Sequence, residues 1–399
     1  MCQPFRQDQS APTPLWSTST PATSTTSSFR TFPRALLPGR GPYYALTLVS
    51  GNATRALPGT MRAAVYRGPR DIVVEERPVP ELGPDDVLLE VSHCGVCGSD
   101  LHMFVDGWGA PDSIGGHEFS GRVVAVGEDV TTWAPGDEVV GGPSQRCGEC
   151  EYCLAGRPQL CVGRSNPGVG EFQGAFADFV RVREPELLRV PPGVSMRAAA
   201  LAEPLAVALH GLTRSGVRAG HRILVTGCGP IGALTIAAAR ARGVADVVAS
   251  EPHPTRRALA ERLGAVVVAP DELGKPAMPF DLVDDPFDAV LECSGHAAAM
   301  QAGLSQLKRG GTLVLVGAGM DWPRFDNNRI TLNELVITGA FVYDFDGFPR
   351  ALELLASGKL PNDLLVEQED YPLSRLLDAA VGLHEGDLAA KAMVVPRVS

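Results

Sequence analysis

The sequence lacks three features that would place the protein in other classes. No run of about 18 apolar residues occurs in its 399 positions, so no segment is expected to span a membrane. The net charge is −11, which argues against a nucleic-acid partner because such binding needs a basic face. No secretory signal is recognised, so the nine cysteines are expected to stay reduced, in a compartment such as the cytoplasm.

Residues 1–60 differ in composition from the rest of the chain. Between positions 11 and 31, 12 of 21 residues are Ser or Thr, and the 60 residues carry five Arg and one Asp. Such a segment buries too little apolar surface to offset its ordering entropy, so it is predicted to be disordered. Its composition is typical of an organelle targeting peptide, and it equally fits sequence translated upstream of a true start at Met61.

The rest of the chain predicts an α/β protein with two kinds of domain. Residues 61–210 hold short strands broken by Gly and Pro, such as "VLLEVSHCG" and "GRVVAVG", which predicts a β-barrel-like domain. Residues 211–344 alternate strand and helix, as in "HRILVTGCG" and "PIGALTIAAARARG", which predicts a doubly wound parallel sheet with helices on both faces. Residues 345–399 are expected to return to the first domain.

The stretch "VTGCGPIG" fits the dinucleotide-binding pattern G-x-G-x-x-G. It follows an apolar strand and opens an Ala-rich helix, which is the context that this pattern requires. Gly227 permits a tight turn, Gly229 lets the backbone approach a pyrophosphate, and Gly232 lets helix and strand pack closely. Pro230 and Ile231 complete the predicted cofactor-binding loop, where the helix N-terminus stabilises phosphate charge.

An acidic residue follows the next predicted strand: Glu251 lies 24 residues after Gly227. A carboxylate there accepts hydrogen bonds from the adenosine ribose and repels a 2′-phosphate, so NAD is favoured over NADP. Arg256 and Arg257 keep NADP open, because guanidinium groups bind phosphate. A Gly-rich turn without any ligand is the remaining alternative.

Four cysteines follow the spacing C-x2-C-x2-C-x7-C in "CGECEYCLAGRPQLC". Four thiolates satisfy a tetrahedral Zn²⁺ and leave no open position, so the predicted site is structural. Disulfides and an iron–sulfur cluster use the same residue type and remain alternatives. The predicted ligands are Cys147, Cys150, Cys153 and Cys161.

Five motifs, in this order, resemble the zinc-containing medium-chain dehydrogenase/reductase family: "GVCGSDLH", "GGHEFSG", the four-cysteine segment, "LAEPLAVALHG" and "VTGCGPIG". The resemblance covers residues 61–399. The motif "EPLAVALHG" is similar to that of the sorbitol, threonine and butanediol dehydrogenase branch. The resemblance implies a GroES-like β-barrel catalytic domain, a Rossmann domain, one catalytic and one structural Zn²⁺ per chain, NAD, and a homodimer or homotetramer.

The resemblance also implies the ligands of a catalytic zinc. Cys97 and His117 match two family ligands, and Glu118 or Glu203 completes the shell, directly or through water. These three protein ligands agree with the usual coordination of a catalytic zinc, which has about three protein ligands and one open position. Cys94 is then a spare, buried thiol.

A proton relay and a nicotinamide contact are implied in the same way. Ser99 takes the proton of the substrate hydroxyl and His102 releases it to solvent, because His titrates near neutral pH. The alkoxide then passes a hydride to NAD⁺. Val316, Gly317 and Ala318 resemble the backbone that holds the nicotinamide carboxamide.

Further residues near these motifs carry weaker predictions. Asp100 is expected to hydrogen-bond the far nitrogen of His117 and fix its tautomer. Lys391 is placed where a basic residue meets the pyrophosphate, with a solvated lysine as the alternative. Phe104 and Trp108 line a substrate pocket or pack in the core.

These residues together predict a zinc-dependent, NAD-linked dehydrogenase of a secondary alcohol, diol or polyol. An amino-alcohol dehydrogenase of the threonine type fits the same motifs, and only activity with L-threonine separates the two. A non-catalytic nucleotide-binding protein on the same fold is the alternative from another class. Such relatives usually lose zinc ligands, whereas this chain keeps them.

Overall fold

A computed structural model describes most of the chain. The described ranges are 47–50, 53–142, 146–164 and 173–397, with side chains described from Leu57 onward. The predictions for residues 1–46 lie outside this part. Two short strands, Thr47–Ser50 (β1) and Ala53–Ala56 (β2), pair antiparallel within the range predicted to be disordered, so the boundary at residue 60 stays a prediction.

Fifteen further strands occur in the described part of the chain. They are Thr60–Gly68 (β3), Asp71–Pro78 (β4), Asp86–Gly95 (β5), Glu118–Val126 (β6), Glu138–Gly141 (β7), Phe179–Arg183 (β8), Leu187–Arg189 (β9), Arg222–Thr226 (β10), Asp246–Ser250 (β11), Val266–Val268 (β12), Phe287–Glu292 (β13), Leu307–Leu315 (β14), Val336–Gly339 (β15), Val366–Pro372 (β16) and Lys391–Val395 (β17).

Ten α-helices occur in the same part of the chain, and none of them is both long and apolar enough to cross a bilayer. They are Gly98–Phe104 (α1), Glu151–Leu154 (α2), Met196–Ala199 (α3), Ala202–Ser215 (α4), Pro230–Ala241 (α5), Pro254–Arg262 (α6), Ala297–Ser305 (α7), Asn327–Leu332 (α8), Gly347–Ala356 (α9) and Leu376–Glu385 (α10).

The motifs "GVCGSDLH" and "GGHEFSG" lie beside a seven-stranded sheet. Its strand order is β16-β17-β5-β6-β7-β9, and β8 also pairs with β5. Its pairs are antiparallel except β16 with β17. Side chains of β5 and β6 enter a core that includes Phe104, Phe119 and Phe176, and both strands are buried over most of their length. The C-terminal strand β17 pairs with β5, placing Val394 opposite Cys94 beside the motif "CGVCGSD".

The second sheet is parallel and has six strands in the order β12-β11-β10-β13-β14-β15. Buried strands such as β10, of which four of five residues are buried, alternate with helices that cover the sheet. This confirms the predicted doubly wound fold. The strand order reverses between β10 and β13, and ligands bind such sheets outside the carboxyl ends of the strands at that point. The domain limits at 210 and 344 stay predictions.

Helix α4 connects the two sheets, since it contacts β6 of the first and β13 and β14 of the second. Ten of its fourteen residues are buried, among them Glu203 in the first turn. The helix therefore carries an acidic side chain into the space between the sheets. It ends at Gly216, which adopts the left-handed conformation that glycine takes without strain.

Candidate active site

Three potential metal ligands converge where β5, α1 and β6 meet. Cys97 precedes α1 and His117 precedes β6, while Glu118 is the first residue of β6 and lies opposite Gly95 in the β5–β6 register. The Cys97 sulfur, a His117 ring nitrogen and a Glu118 carboxylate oxygen all lie within 4.8 Å of one another. One zinc ion, with bonds of about 2.0 to 2.3 Å to such atoms, fits between them.

Glu203 lies near this group but is not part of its compact set of donors. Burial raises the pKa of the Glu203 carboxyl to about 7, against the charge of His117, which lowers it. Burial lowers the pKa of His117, but the charges of Cys97, Asp100 and Glu203 raise it well above its usual value. Both His117 and Glu203 therefore hold their protons more tightly than usual, and a divalent cation bound there would displace protons.

Lys391 is buried beside the metal-ligand group, with a residue exposure of 1%. Its ammonium lies 2.8 Å from both carboxylate oxygens of Glu118 and donates to the Val96 carbonyl at 3.1 Å. Gly95 leaves room for this ion pair, because a Cβ atom there would lie 2.4 Å from the Glu118 Oε2 atom and 3.1 Å from Lys391 Cδ. The solvated lysine that the sequence allowed is therefore wrong, and contact with a pyrophosphate stays a prediction.

Asp100 is fully buried between Cys97 and His117. One carboxylate oxygen accepts a hydrogen bond from the Cys97 backbone N–H at 2.9 Å. The other lies 3.9 Å from His117 Nδ1, which is an ion-pair distance rather than the expected hydrogen bond. Cys94 is buried in the core, which agrees with its prediction as a spare thiol.

The predicted relay residues lie on α1. Ser99 is exposed, and its hydroxyl lies 3.5 Å from His117 Nε2. His102 Nδ1 lies 2.7 Å from an Asp106 carboxylate oxygen, and its ring stacks on Trp108 with centroids 4.5 Å apart. Since no hydrogen bond joins Ser99 to His102 in the described contacts, proton transfer between them needs a bridging hydroxyl or water.

The four cysteines form a second compact group around α2. Their sulfur atoms all lie within 4.8 Å of one another, and tetrahedral zinc with bonds of about 2.3 Å requires S···S separations of about 3.8 Å. All four are free thiols. Backbone N–H groups of Cys153 and Val162 lower the pKa of the Cys150 thiol to about 6, whereas burial raises the pKa of Cys153 to about 12, so the thiolate that binds metal is favoured at Cys150.

The dinucleotide loop has the geometry that its glycines predict. Gly227 has φ +82°, and a Cβ atom there would lie 2.5 Å from Ser294 Cβ at the end of β13. A Cβ atom on Gly232 would lie 2.0 Å from the Gly227 carbonyl oxygen. A Cβ atom on Gly229 would approach only the Arg256 guanidinium, at 3.8 Å, so this backbone faces open space at the helix N-terminus.

Separate alanine substitutions at Gly227 and Gly229 should distinguish an effect on stability from an effect on cofactor binding. Gly229→Ala should leave stability nearly unchanged but weaken NADH binding by about tenfold, because the methyl group fills the space that a pyrophosphate needs. Gly227→Ala should cost more than about 1 kcal/mol of unfolding free energy, because its φ is positive. Urea unfolding and NADH titration measure both effects. Equal losses of stability in the two variants would contradict this division.

Glu251 and Arg256, which are predicted beside the dinucleotide loop, both make hydrogen bonds to backbone groups of the protein. Glu251 is buried, and its two carboxylate oxygens accept hydrogen bonds from the Cys228 and His253 backbone N–H groups at 2.6 and 2.9 Å. The Arg256 guanidinium donates to the Leu383 carbonyl in the last turn of α10 and to the Leu388 carbonyl beyond its end. Its position beside Gly229 agrees with a cofactor contact, which stays a prediction.

Val316, Gly317 and Ala318 directly follow β14 at the carboxyl edge of the parallel sheet. The backbone N–H groups of Val316 and Gly317 donate to the Glu292 carbonyl at 2.8 and 2.9 Å. Gly295, after the neighbouring strand, approaches so closely that its Cβ would lie 2.2 Å from the Ala318 carbonyl oxygen. The segment therefore borders the crevice beside the dinucleotide loop.

The pKa of Glu203 predicts how the metal-free protein responds to pH. A carboxyl with an ordinary pKa of 4.5 when unfolded and about 7 when folded holds its proton more tightly in the folded state. The Glu203 carboxyl should therefore make the free energy of unfolding of the metal-free protein fall as the pH rises from about 4.5 to 7. Urea unfolding of zinc-free wild type and Glu203→Gln from pH 5 to 8 tests this. The same pH slope in both proteins would contradict it.

Two residues near the site, Asp106 and Tyr343, are not predicted from the sequence. Asp106 follows the end of α1, four residues after His102, and its carboxylate lies 2.7 Å from the His102 ring; this spacing is a signal that could have been used. Tyr343 is buried, and this burial raises the pKa of its hydroxyl well above the usual value, with a further contribution from the charge of Glu203. Phe104 packs in the core rather than lining a pocket, while Trp108 is exposed on His102.

Comparison with known proteins agrees with this architecture. The family model described as "Alcohol dehydrogenase GroES-like domain" matches residues 83–192, and that described as "Zinc-binding dehydrogenase" matches residues 230–357. Sorbitol dehydrogenase of Bacillus subtilis is 32% identical over 345 residues, which are 82% of this chain and 94% of that protein.

Solved structures show the same fold. The 2R,3R-butanediol dehydrogenase of Bacillus subtilis is 30% identical, with a TM-score of 0.75 over 84% of this chain and 100% of that chain. A Sinorhizobium meliloti 1021 protein solved with NADP bound is 32% identical, with a TM-score of 0.76 over 85% of this chain and 100% of that chain.

Proposed function

Because this chain belongs to the zinc-dependent medium-chain dehydrogenase/reductase family of alcohol dehydrogenases, we propose that it oxidises a secondary alcohol, diol or polyol with NAD⁺. The observation that carries the proposal is the convergence of Cys97, His117 and Glu118 at the edge of the first sheet. The names of the sorbitol and butanediol relatives support the substrate class.

The residues present fit the cofactors of this family. Cys97, His117 and Glu118 would hold a catalytic zinc, with Glu203 as a nearby further carboxylate. The four-cysteine group would hold a structural zinc. When bound, zinc supplies a Lewis acid that acidifies the substrate hydroxyl, and the nicotinamide supplies the hydride acceptor. Gly227, Gly229 and the N-terminus of α5 would bind the pyrophosphate.

The residues of the chain then have distinct tasks. Ser99, exposed next to His117, accepts the proton of the substrate hydroxyl. A bridging hydroxyl or water passes the proton to His102, whose ring Asp106 and Trp108 hold in place. The Lys391 ammonium balances the charge of Glu118, so that this carboxylate keeps its place among the proposed metal ligands despite complete burial.

The finer assignments follow from the same residues and from the resemblance. The preference for NAD over NADP rests on the sequence position of Glu251, since an acidic residue after the second strand of such a sheet disfavours a 2′-phosphate. The enzyme is a homodimer or homotetramer, as the family resemblance implies. A cytoplasmic location agrees with eight free cysteines in the described part of the chain.

The test is NADH formation by the zinc-loaded full chain with D-sorbitol, xylitol, 2,3-butanediol and L-threonine, repeated with NADP⁺. Turnover of a polyol or diol, faster with NAD⁺, is expected. Turnover of L-threonine alone would favour the amino-alcohol alternative, which the same motifs allow. Failure to bind NADH or to hold zinc, together with no turnover, would favour a non-catalytic nucleotide-binding protein.

A further inference from the structure

The Arg256 side chain connects two parts of the chain that lie far apart in sequence. Arg256 belongs to α6, which contacts β11 and β12 of the parallel sheet. Its Nη2 atom donates to the Leu383 carbonyl, and its Nε atom donates to the Leu388 carbonyl at 3.4 Å. Leu383 lies in the last turn of α10, whose carbonyls have no N–H partners within the helix. The guanidinium therefore binds at the negative end of α10.

The remaining nitrogen of this guanidinium, Nη1, lies beside the dinucleotide loop. It is 3.9 Å from the position that a Cβ atom on Gly229 would occupy. Gly229 is the N-cap of α5, whose first backbone N–H groups have no partners within the helix. Within the described part of the chain, Nη1 donates no hydrogen bond, whereas the other two nitrogens do. Nη1 is therefore available to an anion at the N-terminus of α5.

A second contact holds the same two parts of the chain together. Gly386 follows α10 with φ +85°, and a Cβ atom there would lie 2.4 Å from His253 Nδ1. The His253 ring, which directly precedes α6, thus packs on the Gly386 backbone. The Leu388 N–H donates to the Gly382 carbonyl at 3.1 Å, so the chain beyond α10 folds back on the helix. These contacts fix the carbonyls that bind Arg256.

Helix α10 also packs against the helix that carries the relay residues. Leu383 of α10 and Phe104 of α1 belong to the same hydrophobic core, and the two helices are in contact. Ser99 and His102 lie on α1. A group that restrains the end of α10 is therefore linked to the relay helix through packed side chains.

We propose that Arg256 is a bridge which the cofactor completes. Nη1 binds a pyrophosphate oxygen of the dinucleotide, while Nε and Nη2 keep their carbonyls at the end of α10. A guanidinium suits this role because its donors are held in a rigid plane and its hydrogen bonds to phosphate are charge-assisted. Cofactor binding then restrains the C-terminal segment and, through it, α1. The inference rests on the dinucleotide binding of the proposed function and is independent of which alcohol is oxidised.

Amide hydrogen exchange of the zinc-loaded full chain tests the bridge without turnover. The probes are NADH and ADP-ribose, which keeps the pyrophosphate but lacks the nicotinamide. Each probe should slow exchange in the last turn of α10 severalfold in the wild type. Arg256→Gln should bind both probes about tenfold more weakly, and saturating probe should no longer slow that exchange. Arg262→Gln, which changes an exposed arginine on the same helix, is the matched control and should behave as the wild type.

Gly386→Ala tests the bridge from the side of α10. Its methyl group displaces the His253 ring and the end of α10. The substitution should weaken ADP-ribose binding severalfold in the wild type and have no further effect in Arg256→Gln, because both changes remove the same bridge. Gly358→Ala is the control. Gly358 has φ +70° and no neighbouring atom within 4 Å of its Cβ position in the described part of the chain, so only the backbone cost is shared.

The outcomes separate the bridge from the reaction. Absence of protection in the wild type, or equal protection in wild type and Arg256→Gln, overturns the bridge. Additive losses of affinity in the double variant overturn it too, as does the same loss in Arg262→Gln or Gly358→Ala. Failure of both probes to bind overturns the bridge together with the proposed function. If protection depends on Arg256 but no alcohol is oxidised with NAD⁺, the proposed reaction fails and the bridge remains.

Discussion

Cys97→Ser is expected to abolish most alcohol oxidation and to reduce the zinc content from two ions per chain to one. A serine hydroxyl is a poor ligand where a thiolate is needed, so the catalytic ion should be lost while the four-cysteine group keeps its own. Loss of a Lewis acid worth several kcal/mol predicts a fall in kcat/KM of about 10³-fold. Metal analysis and steady-state kinetics on the same sample measure both effects.

Cys94→Ala is the matched control for this variant. Cys94 lies three residues earlier, is fully buried, and belongs to the core rather than to the metal-ligand group. It should keep two zinc ions and most of the activity, at some cost in stability from the small cavity. Full turnover by Cys97→Ser, or loss of one zinc ion in Cys94→Ala, would refute the assignment of the ligand.

Lys391→Met should destabilise the metal-free protein by about 3 to 5 kcal/mol, the usual cost of removing one partner of a buried ion pair. The substitution leaves the Glu118 carboxylate fully buried without the ammonium that lies 2.8 Å away. Urea unfolding in the presence of a chelator measures this loss without a contribution from bound metal.

The double variant Lys391→Met with Glu118→Gln separates charge from packing. Because glutamine is neutral, the double variant should recover part of the stability that Lys391→Met loses. If the stability losses of Lys391→Met and Glu118→Gln simply add in the double variant, the broken ion pair is not the cause of the destabilisation. Arg122→Gln serves as the surface control, since Arg122 pairs with Glu138 in solvent and should change stability by less than about 1 kcal/mol.

Local spacing in the sequence was enough to predict the features that depend on neighbouring residues. The four cysteines span 15 positions, so one turn of chain and a short helix must bring their sulfur atoms together. The glycine loop likewise predicts the strand–turn–helix around Gly227, because positive φ and close approach admit no side chain there. The parallel sheet is also predicted locally, because hydrophobic periodicity within each segment distinguishes strands from helices and their alternation indicates a parallel sheet.

The tertiary structure alone decided which distant residues meet at the site. Lys391 is 273 positions from Glu118, and they pair because β17 lies beside β5 while β5 lies beside β6. The same register groups Glu118, rather than Glu203, with Cys97 and His117. Strand order and register determine such contacts through the packing of the whole sheet, which no local pattern encodes.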